Sequence, residues 1–85
     1  MDVIIATPTQ KQIYKDCKAI QLKSEEGKLE ILPSHENFIA LVGGNVTLKL
    51  VNKLLKFTIS HSSLFQFAND KSVANIVTSS CSLNE

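Results

Sequence analysis

Apolar and polar residues alternate along most of this chain with a period of two, the spacing that sends successive side chains to opposite faces of a β-strand. Leu29 and Ile31 alternate with Lys28 and Glu30, Val46, Leu48 and Leu50 with Thr47 and Lys49, and Leu55, Phe57 and Ile59 with Lys56 and Thr58. A β-branched run opens the pattern at residues 3–6, Ile20 and Leu22 share one face of residues 19–23, and Phe65-Gln66-Phe67 continues in the same style. No stretch carries the 3.6-residue period of an amphipathic helix.

Turn residues separate these runs. Thr7-Pro8-Thr9 breaks the first, and Ile13-Tyr14 begins a second that ends near Lys15-Asp16, which predicts a first hairpin. Ser24-Glu25-Glu26-Gly27 turns the next strand back, and Pro33 halts the one after by removing a backbone donor. The apolar run from Phe38 to Val42 meets Gly43-Gly44-Asn45, a spacing that predicts a tight hairpin. Asn52-Lys53 and Asn69-Asp70-Lys71 mark further turns. The last strand, residues 73–78, is apolar on both sides at Val73, Ala74, Ile76 and Val77, which predicts a place between neighbours. The expected fold is all-β: a two-layer antiparallel sandwich of about nine short strands over residues 1–78, with a polar tail at 79–85.

At 85 residues, 44% hydrophobic and 20% charged, the chain suits one core that buries somewhat more than ~60% of the unfolded surface. Its net charge is +1, and its nine basic residues are all lysines scattered singly, so no nucleic-acid stripe is present. No run approaches the ~20 apolar residues of a membrane span, and Met1-Asp2-Val3 does not begin a secretory signal. A cytoplasmic chain is expected. Cys17 and Cys81 lack a Cys-x-x-Cys spacing and read as free thiols filling core or edge space.

Candidate chemistry is sparse. His35 stands beside Glu36, but no third ligand or nucleophile is near in sequence, and a zinc site from Cys17, His35, His61 and Cys81 requires tertiary convergence that the spacing does not predict. Both histidines read as structural or interface residues. Ser60, Ser62, Ser63, Ser79 and Ser80 lack a Gly-x-Ser-x-Gly context and read as turn chemistry. Gly43-Gly44 lacks the lysine and hydroxyl residue that close a phosphate loop. Neither a catalytic residue, a metal nor a cofactor is predicted, and the residues alone make Ser24 to Lys28 a solvated turn.

The segment Gly27-Lys28-Leu29-Glu30-Ile31-Leu32-Pro33-Ser34-His35, with Thr7-Pro8 after the first strand and Tyr14 ahead of a later one, resembles the N-terminal sandwich domain of the epsilon subunit of bacterial F-type ATP synthases. That family often shows Gly-Glu-Leu-Gly-Ile-Leu-Pro-Gly-His here. Glu30 and Ser34 stand where it usually has glycine, Asn37 where it often has proline, and His61-Ser62 where a Gly-Gly pair is common. The marks cover roughly the first half of the chain.

The resemblance implies a noncatalytic central-stalk subunit that links gamma to the c ring and couples proton flow to ATP synthesis, peripheral to the cytoplasmic face of the bacterial inner membrane. It implies no nucleic acid and no small-molecule substrate. By carry-over, Gly27, Lys28 and His35 face the ring, and Phe38 and Ala40 approach gamma; many members carry an acidic residue at the Lys28 position. The family's helical hairpin after the sandwich, which holds back hydrolysis and in some members binds ATP, has no counterpart in these residues, so neither property is expected. Two other classes remain as alternatives: a free-standing sandwich adaptor that binds by strand addition, and a small metal-dependent enzyme.

Overall fold

In the computed structural model, which describes residues 1–84, eight strands follow in chain order: β1 (Asp2–Ala6), β2 (Lys11–Tyr14), β3 (Ala19–Ser24), β4 (Gly27–Ile31), β5 (Phe38–Lys49), β6 (Leu54–Ala68), β7 (Val73–Val77) and β8 (Cys81–Asn84). There is no helix among them. The all-β sandwich expected from the alternation is present, with eight strands where the spacing predicted about nine.

β5 and β6 are long enough to serve both layers. Their first and last parts pair with each other, residues 38–42 with 63–67 and residues 44–49 with 54–59. Layer one has the order β2-β1-β7-β6-β5, using the second half of β6 and the first half of β5. Layer two has the order β4-β3-β5-β6-β8, using the other halves. One hydrogen-bonded sheet is thus folded over on itself.

The fold-over corrects the hairpin expected at Gly43-Gly44. Both glycines lie inside β5, at a register shift where Val42 opposes Ser63 but Gly44 opposes Ile59, so β6 carries two more residues than β5 across the corner. Gly44 (φ +80°) and Ser62 (φ +60°) take the left-handed backbone that this bend requires. The real turns are elsewhere: Leu50 N–H donates to the Lys53 carbonyl (2.9 Å) to close the β5–β6 hairpin, and Ser72 N–H donates to Asn69 (3.2 Å) before β7.

Two further differences concern the ends of the chain. β7 does lie between neighbours, but it pairs with β1 in parallel, so the sandwich is not wholly antiparallel. Cys81–Asn84, read from sequence as tail, forms β8 on the edge of layer two, opposite Lys56 to Ile59. Polar composition alone does not distinguish a free tail from an edge strand whose outward positions are wet.

The core lies between the layers. Phe57, Phe65, Phe67, Ile5, Ile20, Ile31, Leu48 and Ile76 are fully buried, each contributing about 1.5–3 kcal/mol by leaving water. Tyr14 from layer one meets Phe57 of layer two edge to face, centroids 5.6 Å apart, and its hydroxyl donates to Gln12 Oε1 at 3.0 Å. Cys17 is buried beside the chain start, where its N–H donates to the Met1 carbonyl at 2.7 Å.

Candidate partner-binding surface

The two outer faces differ in chemistry. On layer two, cross-strand register sets Glu30, Gln21, Thr47, Lys56 and Asn84 side by side, with Asn45, Thr58 and Ser82 in the next row. Hydrogen bonds and one ion pair run along these rows: Gln21 Nε2 donates to Glu30 at 3.1 Å, Asn84 Nδ2 to Thr58 at 2.9 Å, and Lys49 Nζ stands 3.6 Å from Glu30. This is a solvated face.

Layer one presents the opposite. Leu41, Leu64, Val77 and Ala6 form one outward row, and Ile39, Gln66, Asn75, Ile4 and Ile13 form the next. Ile39 is 63% exposed, Leu41, Ile13 and Val77 more than half, and Leu64 38%. Five strands span about 19 Å and adjacent outward rows lie about 7 Å apart, so Ile39, Leu41, Leu64, Val77 and Ala6 form an apolar strip, while Gln66 and Asn75 interrupt the second row. A patch of that kind marks an interaction site more often than a scatter of single apolar residues does.

The five residues singled out from sequence fall in different settings. Gly27 ends the β3–β4 turn with φ +128°, a conformation that favours glycine. Lys28 is exposed on β4, directly opposite Lys23. His35 is half-buried in the loop over residues 32–37, its ring edge to face with Phe38 (5.6 Å) and Phe67 (6.2 Å). Asn69 ties this loop down: its Nδ2 donates to the His35 carbonyl at 2.6 Å, and its N–H donates to Asn37 Oδ1 at 2.7 Å. The β3–β4 turn and the His35 loop are apart, since Ser24 is level with Val42 and Phe38 lies four residues earlier on β5, about 13 Å of strand.

Phe38 and Ala40 are half-buried on β5. Both share a face with buried Val42 and turn toward the core, where Phe38 meets Phe65 at 6.3 Å. Ile39 and Leu41 are the outward residues. The run Phe38-Ile39-Ala40-Leu41-Val42 is apolar throughout, so its alternation gave no parity. Leu64 breaks the polar outward rhythm of β6 set by Lys56, Thr58 and Gln66, a signal open to the sequence, whereas β7 is apolar on both faces and gives Val77 no such signal.

A second feature absent from the sequence reading is a hydroxyl cluster at the corner. Thr78 and Ser63 are buried; Ser63 and Ser60 both meet Thr78 Oγ1 at 2.8 Å, Thr78 donates to the Ser80 carbonyl at 2.9 Å, and Ser79 Oγ donates to Ser60 Oγ at 2.8 Å. The serines read as turn chemistry instead satisfy the polar groups of the fold-over.

Reactive groups are dispersed. Cys17 and Cys81 are free thiols. Burial pushes both upward in pKa, against smaller lowering contributions at Cys17 from the Ala19 backbone and the chain's amino terminus. Burial, and then Cys81, raises Tyr14. Among the described residues no three His, Cys, Asp or Glu side chains gather in a way that could hold a metal ion.

No protein-family model matches the sequence, and no curated protein matches it. Solved structures do match the fold. A chain of the Euglena gracilis mitochondrial ATP synthase, in a cryo-EM structure of OSCP, F1 and c ring in rotational state 1, superposes over 95% of this chain with a TM-score of 0.84 at 19% identity. A chain of the Tetrahymena thermophila mitochondrial ATP synthase central stalk and c ring superposes over 96% with a TM-score of 0.82 at 15% identity. Likeness at such identity establishes a shared sandwich architecture. This chain spans 51% and 65% of those two chains.

Proposed function

We propose that this chain is a noncatalytic rotor-stalk subunit of a rotary F-type ATP synthase, an epsilon-type sandwich that links gamma to the c ring. The observation that carries the reading is the superposition of nearly the whole chain on chains of two ATP synthase assemblies that contain the c ring. The segment from Gly27 to His35 supports it independently, because its resemblance to the epsilon family rests on residues and not on shape. The proposed site is the cytoplasmic face of the bacterial inner membrane, where the subunit is held through the complex.

The mechanism is mechanical. The apolar outer face of layer one, with Ile39, Leu41, Leu64 and Val77, packs on gamma, and the polar turn at Gly27 and Lys28 with the His35 loop meets the ring. About 800 Å² per partner suffices for a specific contact, and apolar residues at its centre with a polar rim fit the general anatomy of such surfaces. Torque from proton flow then passes to catalytic sites in other chains.

The test is co-assembly. Purified chain mixed with gamma and c ring from its own source organism is expected to elute as one complex with both. Elution apart from both, under conditions where gamma and the ring associate with each other, overturns the proposal.

A further inference from the structure

Among the described residues the folded-over sheet has four strand edges, three of them guarded and one left open to pairing. β2 is guarded by Lys11 and by Pro8 just ahead of it, β4 by Lys28 and Glu30 with Pro33 following, and β8 is a four-residue strand with outward Ser82 and Asn84. Charges, prolines and short length are the usual devices that keep an edge from pairing with another chain. The fourth edge is the first part of β5. β3 leaves β5 after Gln21 and touches it again only where Ser24 meets Val42, so residues 38–41 have β6 on one side and no strand on the other.

Along that edge the sequence is Phe-Ile-Ala-Leu, with neither charge nor proline. Outside the β5–β6 ladder, no backbone hydrogen bond is made by these four residues to any described residue. In an antiparallel pair, alternate residues direct their N–H and C=O groups away from the partner strand, which leaves donors and acceptors facing outward here. Ile39 and Leu41 are both exposed edge residues; Leu41 ends the apolar row through Leu64 and Val77, and Ile39 ends the adjacent row, in which Gln66 and Asn75 are polar.

We infer that residues 38–41 accept an extended segment of gamma as a sixth strand of layer one, so that the apolar face and the open edge form one continuous contact. The inference rests on the proposed rotor role, which supplies the partner. The added segment has apolar side chains at alternate positions, continuing the rows that end at Ile39 and Leu41, and polar residues between them where it faces water. Main-chain pairing supplies affinity and the side-chain rows supply register, as in other strand additions.

The experiment is hydrogen exchange at single-residue resolution on the whole chain, alone and in complex with gamma. In the complex, the outward amides among residues 38–41 are expected to slow by about tenfold or more. A second measurement keeps all side chains: chains made by chemical ligation carry a backbone N-methyl at Ile39 or at Ala40. Circular dichroism identifies the position that leaves the fold intact, which is the one whose N–H lies on the open side. That variant is expected to bind gamma at least about tenfold more weakly, roughly 1.4 kcal/mol.

If the complex forms but these amides exchange as in the free chain, or the N-methyl variant binds like the parent, strand addition is overturned while the rotor role stands. Protection of the same amides in a dimer of the chain alone assigns the edge to a second copy and also overturns it. If no complex with gamma forms, the rotor role falls and this inference falls with it.

Discussion

Gly43 lies against His61 so closely that a Cβ on the glycine would stand 2.8 Å from the His61 Cα. The contact is backbone against side chain position, across the corner where β5 and β6 pass together from one layer to the other. Gly43→Ala therefore forces the two strands apart, and an overpacked contact of this kind costs about 1–3 kcal/mol. Urea unfolding with an unchanged m value and a lowered midpoint is the expected result. Gly44→Ala meets no neighbour, yet its φ of +80° alone is strained, and the loss is expected at the lower end of about 1–3 kcal/mol.

The corner hydroxyls give a second prediction. Thr78 Oγ1 accepts from Ser63 Oγ (2.8 Å) and from the Ser60 N–H (3.3 Å) in a buried setting. Thr78→Val keeps the shape but removes this acceptor; Ser63 Oγ still reaches the Ser60 carbonyl and the Ser60 N–H the Ser80 carbonyl, so the loss is expected near the net worth of a hydrogen bond, about 0.5–1.5 kcal/mol. Ser63→Ala removes the bond to Thr78 and also the one to the Ser60 carbonyl, and a double-mutant cycle in urea is expected to show the two sites coupled by at least about 0.5 kcal/mol.

His35 and Lys28 separate under mutation, because one is packed and the other is not. His35→Ala removes the edge-to-face contacts with Phe38 and Phe67 and is expected to cost about 0.5–1.5 kcal/mol. Lys28→Ala is expected to stay within about ±0.5 kcal/mol. Thermal melts of the two single variants check this, and a weakened c-ring association by Lys28→Ala at unchanged stability supports a ring-facing role.

Leu64→Lys and Val77→Lys test the apolar face at strands flanked on each side; Leu64 is opposite Leu41 of the open edge, while Val77 is two strands away from it. Both side chains are solvent-exposed, so the fold is expected to tolerate the change. Titration calorimetry with gamma is expected to show binding weakened by at least about tenfold, or about 1.4 kcal/mol.

Stability should fall on the alkaline side of neutrality. Burial raises the Cys17 thiol above its ordinary value, against smaller lowering contributions from the Ala19 backbone and the amino terminus. The native chain then holds this proton after the unfolded chain has released it, so the native state binds more protons and stability declines as pH rises past the unfolded thiol value of about 8.5. Below that value the thiol contributes no pH dependence. Tyr14 and Cys81, also raised, act in the same direction, so the contribution of Cys17 is the difference in slope between parent and Cys17→Ala. A slope unchanged by that substitution removes the assignment.

The alternation of Leu29 and Ile31 with lysine and glutamate, and of Phe57 and Ile59 with Lys56 and Thr58, determined the all-β class, because a period of two can be buried on one face only as a strand. Pro33, Ser24 to Gly27 and Asn52-Lys53 determined where strands stop, because each acts through local backbone geometry. Gly43-Gly44 shows where local reading ends. Two glycines permit a turn or a bulge alike, and β6 decided between them by pairing with both flanks of β5. Tertiary pairing likewise set β1 parallel to β7 and made Cys81–Asn84 an edge strand. It also fixed the parity of Phe38 to Val42, where five apolar residues in a row carry no alternation to read. Which side of that run faces a partner depends on Val42 being held in the core, and that is a long-range contact no local pattern encodes.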